Sequence, residues 1–320
     1  MNDTVPAIQV QGLSCHFGDI HAIDDVSFTI HPGELFGLVG PDGAGKTTLL
    51  RMLAGVLNPN GGDAEFYGVS VVRDAEAVKQ VIAYMPQRFG LYTDLSVMEN
   101  LDFYADLYGV APAQRRARLE RLFQFSNLGP FKDRLAGALS GGMKQKLALS
   151  CALIHTPKIL LLDEPTFGVD PISRRDLWLI VHEMVEEGVT AVVSTAYMDE
   201  AERFDRVALL HAGRVLALDT PTALQQTLTG EVLVVEASDP HAARDLLTHD
   251  ARVRSVMLFG DKLHVIVTST DVDAPVIEQA LRSAAIQVLS MVRADASLED
   301  VFIERMSGSA TAAQTAAAPA

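Results

Sequence analysis

The run GPDGAGKTT, from Gly40 to Thr48, sets glycines, one lysine and two hydroxyls at a spacing that can hold phosphate. Gly40, Gly45, Lys46 and Thr47 satisfy the pattern G-x-x-x-x-G-K-[ST]. Glycines let backbone N–H groups over Asp42, Gly43, Ala44 and Gly45 converge on phosphate oxygens, and a helix opening at Lys46, Thr47 and Thr48 adds its positive dipole end. Lys46 is placed to reach β- and γ-phosphates, and the Thr47 hydroxyl to hold Mg²⁺. The expected ligands are therefore ATP and Mg²⁺.

Two further stretches belong to the same chemistry. KILLLDEPT, Lys158 to Thr166, is an apolar run that ends in adjacent carboxylates, Asp163 and Glu164. One acid there suits Mg²⁺; the other can polarise a water for attack on the γ-phosphate. LSGGMKQKLALSCALIH begins at Leu139 and suggests a helix whose start, at Ser140, Gly141 and Gly142, offers N–H groups and a hydroxyl to a second anion. A helix start alone is an ordinary structural feature. Its place between the phosphate loop and the acidic pair gives it weight.

These residues need a scaffold that brings strand ends together. ELFGLVG, KILLLD and TAVVS are near-continuous apolar runs, as expected of strands buried on both faces. IQVQGLSCHF and DDVSFTI precede them as strands, and VALLHAGRVLAL predicts a hairpin turning near Gly213. Helical stretches lie between, one opened by the capping box SVME at Ser96 and Glu99. Alternation of this kind implies an α/β fold with a mostly parallel sheet. From Glu231 the pattern changes to β-α-β-β-α-β: EVLVVE, PHAARDLLTH, VRSVMLFG, KLHVIVT, APVIEQALRSA and IQVLSMV, the order of a small ferredoxin-like α+β domain. SLEDVFIERM predicts a last short helix, and the low-complexity stretch over 307–320 a disordered tail.

Composition limits the alternatives. A chain of 320 residues accommodates one large and one small domain. The formal net charge of −15 argues against nucleic acid as a partner, because phosphate backbones call for clustered Lys and Arg. Two distant cysteines, Cys15 and Cys151, form no disulfide framework or metal motif and suggest a reducing compartment. MNDTVPAIQV lacks a basic leader with an apolar run, and no apolar stretch of about 18 residues is present. A membrane role is therefore expected to pass through a partner. Arg115 opens RRARLERL, expected as a solvated helix face, and His155 is expected to pack or cap.

Taken together, these motifs resemble the ATP-binding subunit of an ABC transporter over about residues 8–220. GPDGAGKTT resembles the family's Walker A, ILLLDEPT its Walker B, LSGGMKQ its signature and GVD, Gly168 to Asp170, its D-loop; YMPQRFG places the Q-loop glutamine at Gln87. The resemblance implies a P-loop ATPase domain over 1–228 with a β-subdomain and a helical subdomain at about 88–155, followed by the small domain over 229–306. It implies that Phe17 stacks on adenine, that Gln87 joins Thr47 and Asp163 around Mg²⁺, and that Glu164, Gln87 and Lys46 serve hydrolysis. It also implies that Ser140, Gly141, Gly142, Gln145 and Asp170 meet a nucleotide across a dimer. The small domain and SLEDVFIERM resemble the appendage of ABC-2-type drug and antibiotic exporters. FGVDPISRRDLW and TAYMDEAERFD look most like the amino-terminal ATPase half of tandem-ATPase exporters of the YbhF type. The implied setting is the inner face of the cell membrane, with an ABC-2-type permease as partner.

One position departs from the family. Thr195, Ala196, Tyr197, Met198, Asp199, Glu200 and Ala201 stand where the pattern T-H-x-x-x-E-A is usual, so alanine replaces a histidine that contacts the γ-phosphate. A methyl group neither donates nor accepts a hydrogen bond. Either the chain pairs with a different ATPase domain, to which it lends an intact signature, or it forms a slow homodimer in which Tyr197 or another group substitutes. Retention of both acids and the signature favours the hetero-partner. Asp42, where the family often has asparagine, is expected to turn away from the phosphates. A soluble ABC ATPase, or a nucleotide-dependent switch with little turnover, remains the alternative function.

Overall fold

The computed structural model describes residues 5–306, so the expected disordered tail lies outside the described residues. Contacts divide the chain into two compact units, one up to Val215 and one from Leu216. The first unit begins with β1 (Ile8–Phe17), β2 (Ile20–Ile30), β3 (Leu35–Val39), α1 (Lys46–Leu53), β4 (Gly61–Phe66), β5 (Val69–Ser70), α2 (Ala75–Lys79) and β6 (Ile82–Met85). It continues through α3 (Val97–Leu107), α4 (Pro112–Ser126), α5 (Gly141–Leu153), β7 (Ile159–Asp163), α6 (Pro171–Glu186), β8 (Thr190–Thr195) and β9 (Arg206–His211) into β10 (Arg214–Asp219).

A small antiparallel sheet, ordered β2-β1-β4-β5, lies beside a larger one in which β9, β3, β8, β7 and β6 are successive neighbours, with β10 at the β9 edge. The pairs β3–β8, β3–β9, β7–β8 and β6–β7 are all parallel. Every residue of β3, β7 and β8 is buried, which is why their apolar residues run on without alternation, the polar residues of β7 and β8 falling at the strand ends. Their register brings the strand ends level. Val39 pairs with Thr195, and Asp163 with Ser194. Gly40, Glu164 and Ala196 therefore leave the sheet side by side, at the carboxyl edge where such sheets bind ligands. Met85 pairs with Leu162, so β6 delivers Gln87 to the same edge.

The helices between β6 and β7 have local reasons to form. Ser96 Oγ accepts the Glu99 N–H at 3.2 Å and the Glu99 carboxylate accepts the Ser96 N–H at 2.7 Å, which is the capping box expected from SVME. In α4 only Leu122 and Ser126 are buried, so RRARLERL is the solvated helix face its composition suggested.

The second unit comprises α7 (Pro221–Gln226), β11 (Glu231–Ala237), α8 (Pro240–Thr248), β12 (Val253–Phe259), β13 (Lys262–Val267), α9 (Thr270–Ser283) and β14 (Val288–Ala294). Its antiparallel sheet has the order β12-β13-β11-β14, so the first and third strands of the β-α-β-β-α-β unit are central and the fold is ferredoxin-like. Leu233, Val235, Leu247, Leu263, Val265, Ile277 and Leu281 form its core. Helix α9 starts before the stretch APVIEQALRSA, because Glu231 accepts both the N–H and the hydroxyl of Thr270, at 2.7 and 2.6 Å, and so fixes the first turn there. A helix over 298–306 follows β14.

Candidate functional site

The loop between β3 and α1 can be formed only by glycine at two points. A Cβ on Gly40 would lie 2.2 Å from the Leu210 carbonyl oxygen, and one on Gly45, whose φ is 106°, would lie 2.5 Å from the Ala22 oxygen. Gly45 caps α1 without a side chain, which leaves the first N–H groups of that helix for a ligand. Lys46 is 4% exposed. Its Nζ donates to the carbonyls of Gly40 at 2.8 Å and Pro41 at 3.1 Å, and pairs with Glu164 Oε1 at 3.0 Å. Gln87 Nε2 donates to the other oxygen, Oε2, at 2.9 Å.

Asp163 is held from two sides. Thr47 Oγ1 donates to its Oδ1 at 3.0 Å, and Ser194 Oγ donates to the same oxygen at 2.8 Å. Ser194 Oγ also accepts the Glu164 N–H at 3.0 Å, which supports Glu164 at a left-handed φ of 48°. Oδ2 of Asp163 is buried with no hydrogen-bond partner among the described residues. Burial, and then the charge of Asp163, push the Tyr84 hydroxyl up to about 12, so it stays protonated beside the carboxylate at neutral pH. Neither Ser194 nor Tyr84 was singled out by the sequence, although Tyr84 opens YMPQRFG; their places near the ends of β8 and β6 are the signal that could have marked them.

Above these groups lies a cavity of about 600 Å³, lined by Asp42, Gly43, Gly45, Lys46, Thr47, Thr48, Gln87 and Glu164, with Ile20, His21, Ala22, Phe167 and Ala212 completing the wall. Gly40 and Ala44 are buried beneath it. Asp42 is among the lining residues, where the loop turns between Pro41 and Gly43. Phe17 is 53% exposed and pairs across the β1–β2 turn with Ile20, which lines the cavity.

The remaining candidates form a separate cluster. Ser140 Oγ caps α5 by accepting the Met143 N–H at 3.3 Å, and Asp170 caps α6 by accepting the Ser173 N–H at 3.0 Å. A Cβ on Gly142 would lie 2.1 Å from Ser173 Oγ, so the two helix starts are packed together. Lys146 and Asp176 tie the same helices at 3.1 Å. None of Ser140, Gly141, Gly142, Gln145 and Asp170 lines the cavity at Lys46. Ala196 is half-buried beyond β8, and Tyr197 carries the Arg174 guanidinium over its ring at 4.5 Å from the centroid. His155 stacks on Tyr108 at 4.1 Å and bonds the Ile82 carbonyl, a packing role as expected.

The family model for ABC transporters matches residues 23–167. Over 317 residues the chain is 44% identical to the "Probable multidrug ABC transporter ATP-binding protein YbhF" of Escherichia coli K12; the match covers 97% of this chain and 54% of that relative, so the chain spans about half of that relative's length. It is 36% identical over 304 residues to the "Nod factor export ATP-binding protein I" of Paraburkholderia xenovorans, covering 94% of this chain and 97% of the relative. Among solved structures, an ATP-binding subunit of an ABC transporter superposes with a TM-score of 0.63 at 30% identity, over 69% of this chain and 92% of that one. An ATP-binding cassette dimer bound to ADP and phosphate has the same fold, with a TM-score of 0.61 at 24% identity over 67% of this chain and 98% of that one.

Proposed function

Because the chain belongs to the ABC transporter ATP-binding family, we propose that it is the ATP-binding and ATP-hydrolysing subunit that powers an ABC-2-type exporter through a separate membrane permease. The observation that carries this reading is the group at the strand ends: a buried lysine, two acids and a glutamine face one phosphate-sized loop. Among the described residues no helix is long and apolar enough to cross a membrane, which fits a motor subunit held peripherally at the inner face by its permease.

The β- and γ-phosphates of ATP bind at the α1 N-terminus and take the Lys46 ammonium from Glu164. Glu164 then accepts a hydrogen bond from water aligned with the γ-phosphorus, and Gln87 keeps the carboxylate turned toward it. Water attacks phosphorus as its proton passes toward the Glu164 carboxylate, the bond to the β-phosphate oxygen breaks, and ADP and phosphate leave. Thr47, Asp163 and Gln87 fit Mg²⁺: Asp163 Oδ1 lies 3.0 Å from the Thr47 hydroxyl, a carboxylate beside a hydroxyl that would supply oxygen ligands to that ion. No group of three or more acidic, His or Cys residues that could hold a metal occurs among the described residues, as suits an ion that keeps water and phosphate ligands. Bound there, Mg²⁺ neutralises charge on the phosphate oxygens.

The signature cluster stands apart from this cavity and suits a second nucleotide carried by a facing ATPase domain. With Ala196 the chain's own site lacks one γ-phosphate contact, a loss of about 10²–10³ in rate by analogy with a missing oxyanion donor. Tyr197 is a poor substitute because its ring is engaged by Arg174. A hetero-partner that supplies the faster site is therefore the preferred pairing. The second reading, a switch that binds ATP without useful turnover, rests on the same alanine. Phosphate release by the purified chain with Mg²⁺ and ATP, beside Glu164→Gln, tests both. Turnover above the variant supports hydrolysis at the chain's own site; equality that Ala196→His relieves supports a degenerate site beside a second ATPase domain, and equality that it does not relieve supports the switch.

A further inference from the structure

Beyond the groups that face ATP, the first unit buries another carboxylate whose bonds reach into the same site. Glu200 is 1% exposed and sits in a single 3-10 turn, Met198–Arg203, after β8. Its Oε2 accepts from Thr195 Oγ1 at 2.7 Å and from Thr166 Oγ1 at 3.1 Å. Its Oε1 accepts from Trp178 Nε1 at 3.1 Å, with Arg174 Nε 3.8 Å away. These partners come from three parts of the chain that converge on the phosphate edge. Thr166 lies two residues past Glu164, in the same turn. Thr195 ends β8, and its carbonyl accepts the Gly40 N–H at 3.2 Å, directly beside the phosphate loop. Trp178 and Arg174 belong to α6, the helix that Asp170 caps.

We propose that Glu200 is a positioning residue for ATP hydrolysis: through Thr166 and Thr195 it fixes the turn that carries Glu164 against the end of β8 and the phosphate loop. The geometry requires such a brace. Glu164 holds a left-handed backbone conformation that a non-glycine residue keeps only when its surroundings over-determine it. A buried carboxylate is costly unless its oxygens are matched by donors, and those of Glu200 are matched by two hydroxyls and an indole N–H with a guanidinium beside them. With a methyl group at Ala196 there is no histidine to restrain the attacking water, so its alignment rests on Glu164, which the turn and the Gln87 bond hold. This inference rests on the reading that the chain hydrolyses ATP.

The test compares Thr166→Val, which is isosteric but removes a donor from Glu200, with Thr166→Ser, which keeps the donor and removes a methyl group. Turnover is measured with Mg²⁺ and ATP, affinity with a fluorescent ATP analogue, and local order by amide hydrogen exchange. Expected is a fall in kcat of about tenfold for Thr166→Val, recovery to within about twofold for Thr166→Ser, and ATP affinity within about threefold in both. The Glu164 and Phe167 amides should exchange about tenfold faster in Thr166→Val, with Leu160–Leu162 unchanged. A packing role reverses the order of the two variants, and that result overturns the proposal, as does a parallel loss of kcat and affinity with faster exchange throughout the unit. If wild-type turnover does not exceed that of Glu164→Gln, the chain's own site is silent, kcat reads nothing and exchange decides alone. Acceleration confined to the Glu164 turn then supports the brace, and uniform or absent acceleration overturns it.

Discussion

Asp163 in the first unit and Asp300 in the second are both almost fully buried, at 1% and 2% exposure, and they differ in what is left unpaired. The Thr47 and Ser194 hydroxyls bond to one oxygen of Asp163; the other oxygen and the nearby Tyr84 hydroxyl are both buried with no hydrogen-bond partner among the described residues. At Asp300, Oδ1 lies 3.0 Å from His264 Nδ1, while Oδ2 accepts the N–H and hydroxyl of Ser297 at 2.8 and 2.6 Å. A buried acceptor without a donor costs free energy and persists where something outside the chain completes it; a satisfied one needs nothing more. Asp163 is thus left one bond short at the end of β7, whereas Asp300 is satisfied and pins the start of the 298–306 helix to β13.

The largest expected effect follows on the first side. Asp163→Asn keeps the size and the bonds to Thr47 and Ser194 but removes the charge, so turnover should fall by about 10²–10³. Phosphate release across a Mg²⁺ titration checks this, and half-maximal rate should require more Mg²⁺. If Asp163→Asn turns over normally, the Asp163 carboxylate holds no metal and the comparison breaks.

Next in size, Ala196→His should raise turnover by about 10², because the imidazole restores a γ-phosphate contact beside Gly40. If the unaltered chain already turns over at about 0.1–10 s⁻¹, an ordinary enzyme rate, the preference for a hetero-partner loses its basis.

On the other side, Asp300→Asn should leave turnover and ATP affinity unchanged and cost about 1–3 kcal/mol, read as a lowered Tm of the second unit. Burial alone would raise the Asp300 carboxyl, but the hydrogen bonds from His264 and Ser297 outweigh it and hold the group below the usual carboxylate range. A depressed native value gives stability that is fully present above the unfolded value, about 3.9, and is lost as pH falls through the lower native one. The Tm difference between wild type and Asp300→Asn should therefore shrink only in that acidic window.

The two sides were not equally legible in the sequence. GPDGAGKTT, ILLLDEPT and the apolar strands are legible because each segment's chemistry is local: a loop needs its glycines in order, and a doubly buried strand needs unbroken apolar residues. The β-α-β-β-α-β order is legible for the same reason, since period and turns repeat along the chain. Ser194, Tyr84, Glu200 and Asp300 were not legible, because a partner that defines each role is distant in sequence, Asp163 for Ser194, Thr166 for Glu200 and His264 for Asp300, or comes from strand register. Glu200 stands inside the stretch TAYMDEAERFD, yet nothing in that stretch says that its carboxylate turns inward to Thr166 and Trp178 instead of outward like Asp199.

The smallest effect on stability gives the sharpest test of pairing. Ser140 caps α5 and lies outside the cavity at Lys46, so Ser140→Ala should cost only about 1 kcal/mol and leave ATP affinity of the isolated chain unchanged. Any loss of turnover must then arise at a site to which this signature is lent. If the chain pairs with itself, Ser140→Ala alone should slow phosphate release, and mixing it with Asp163→Asn should restore part of the rate. That restoration follows because a mixed dimer holds one composite site with both defects and one with neither. If the chain works with a different ATPase domain, its own slow turnover should be indifferent to Ser140→Ala and to mixing. The loss should then appear only once that partner is added.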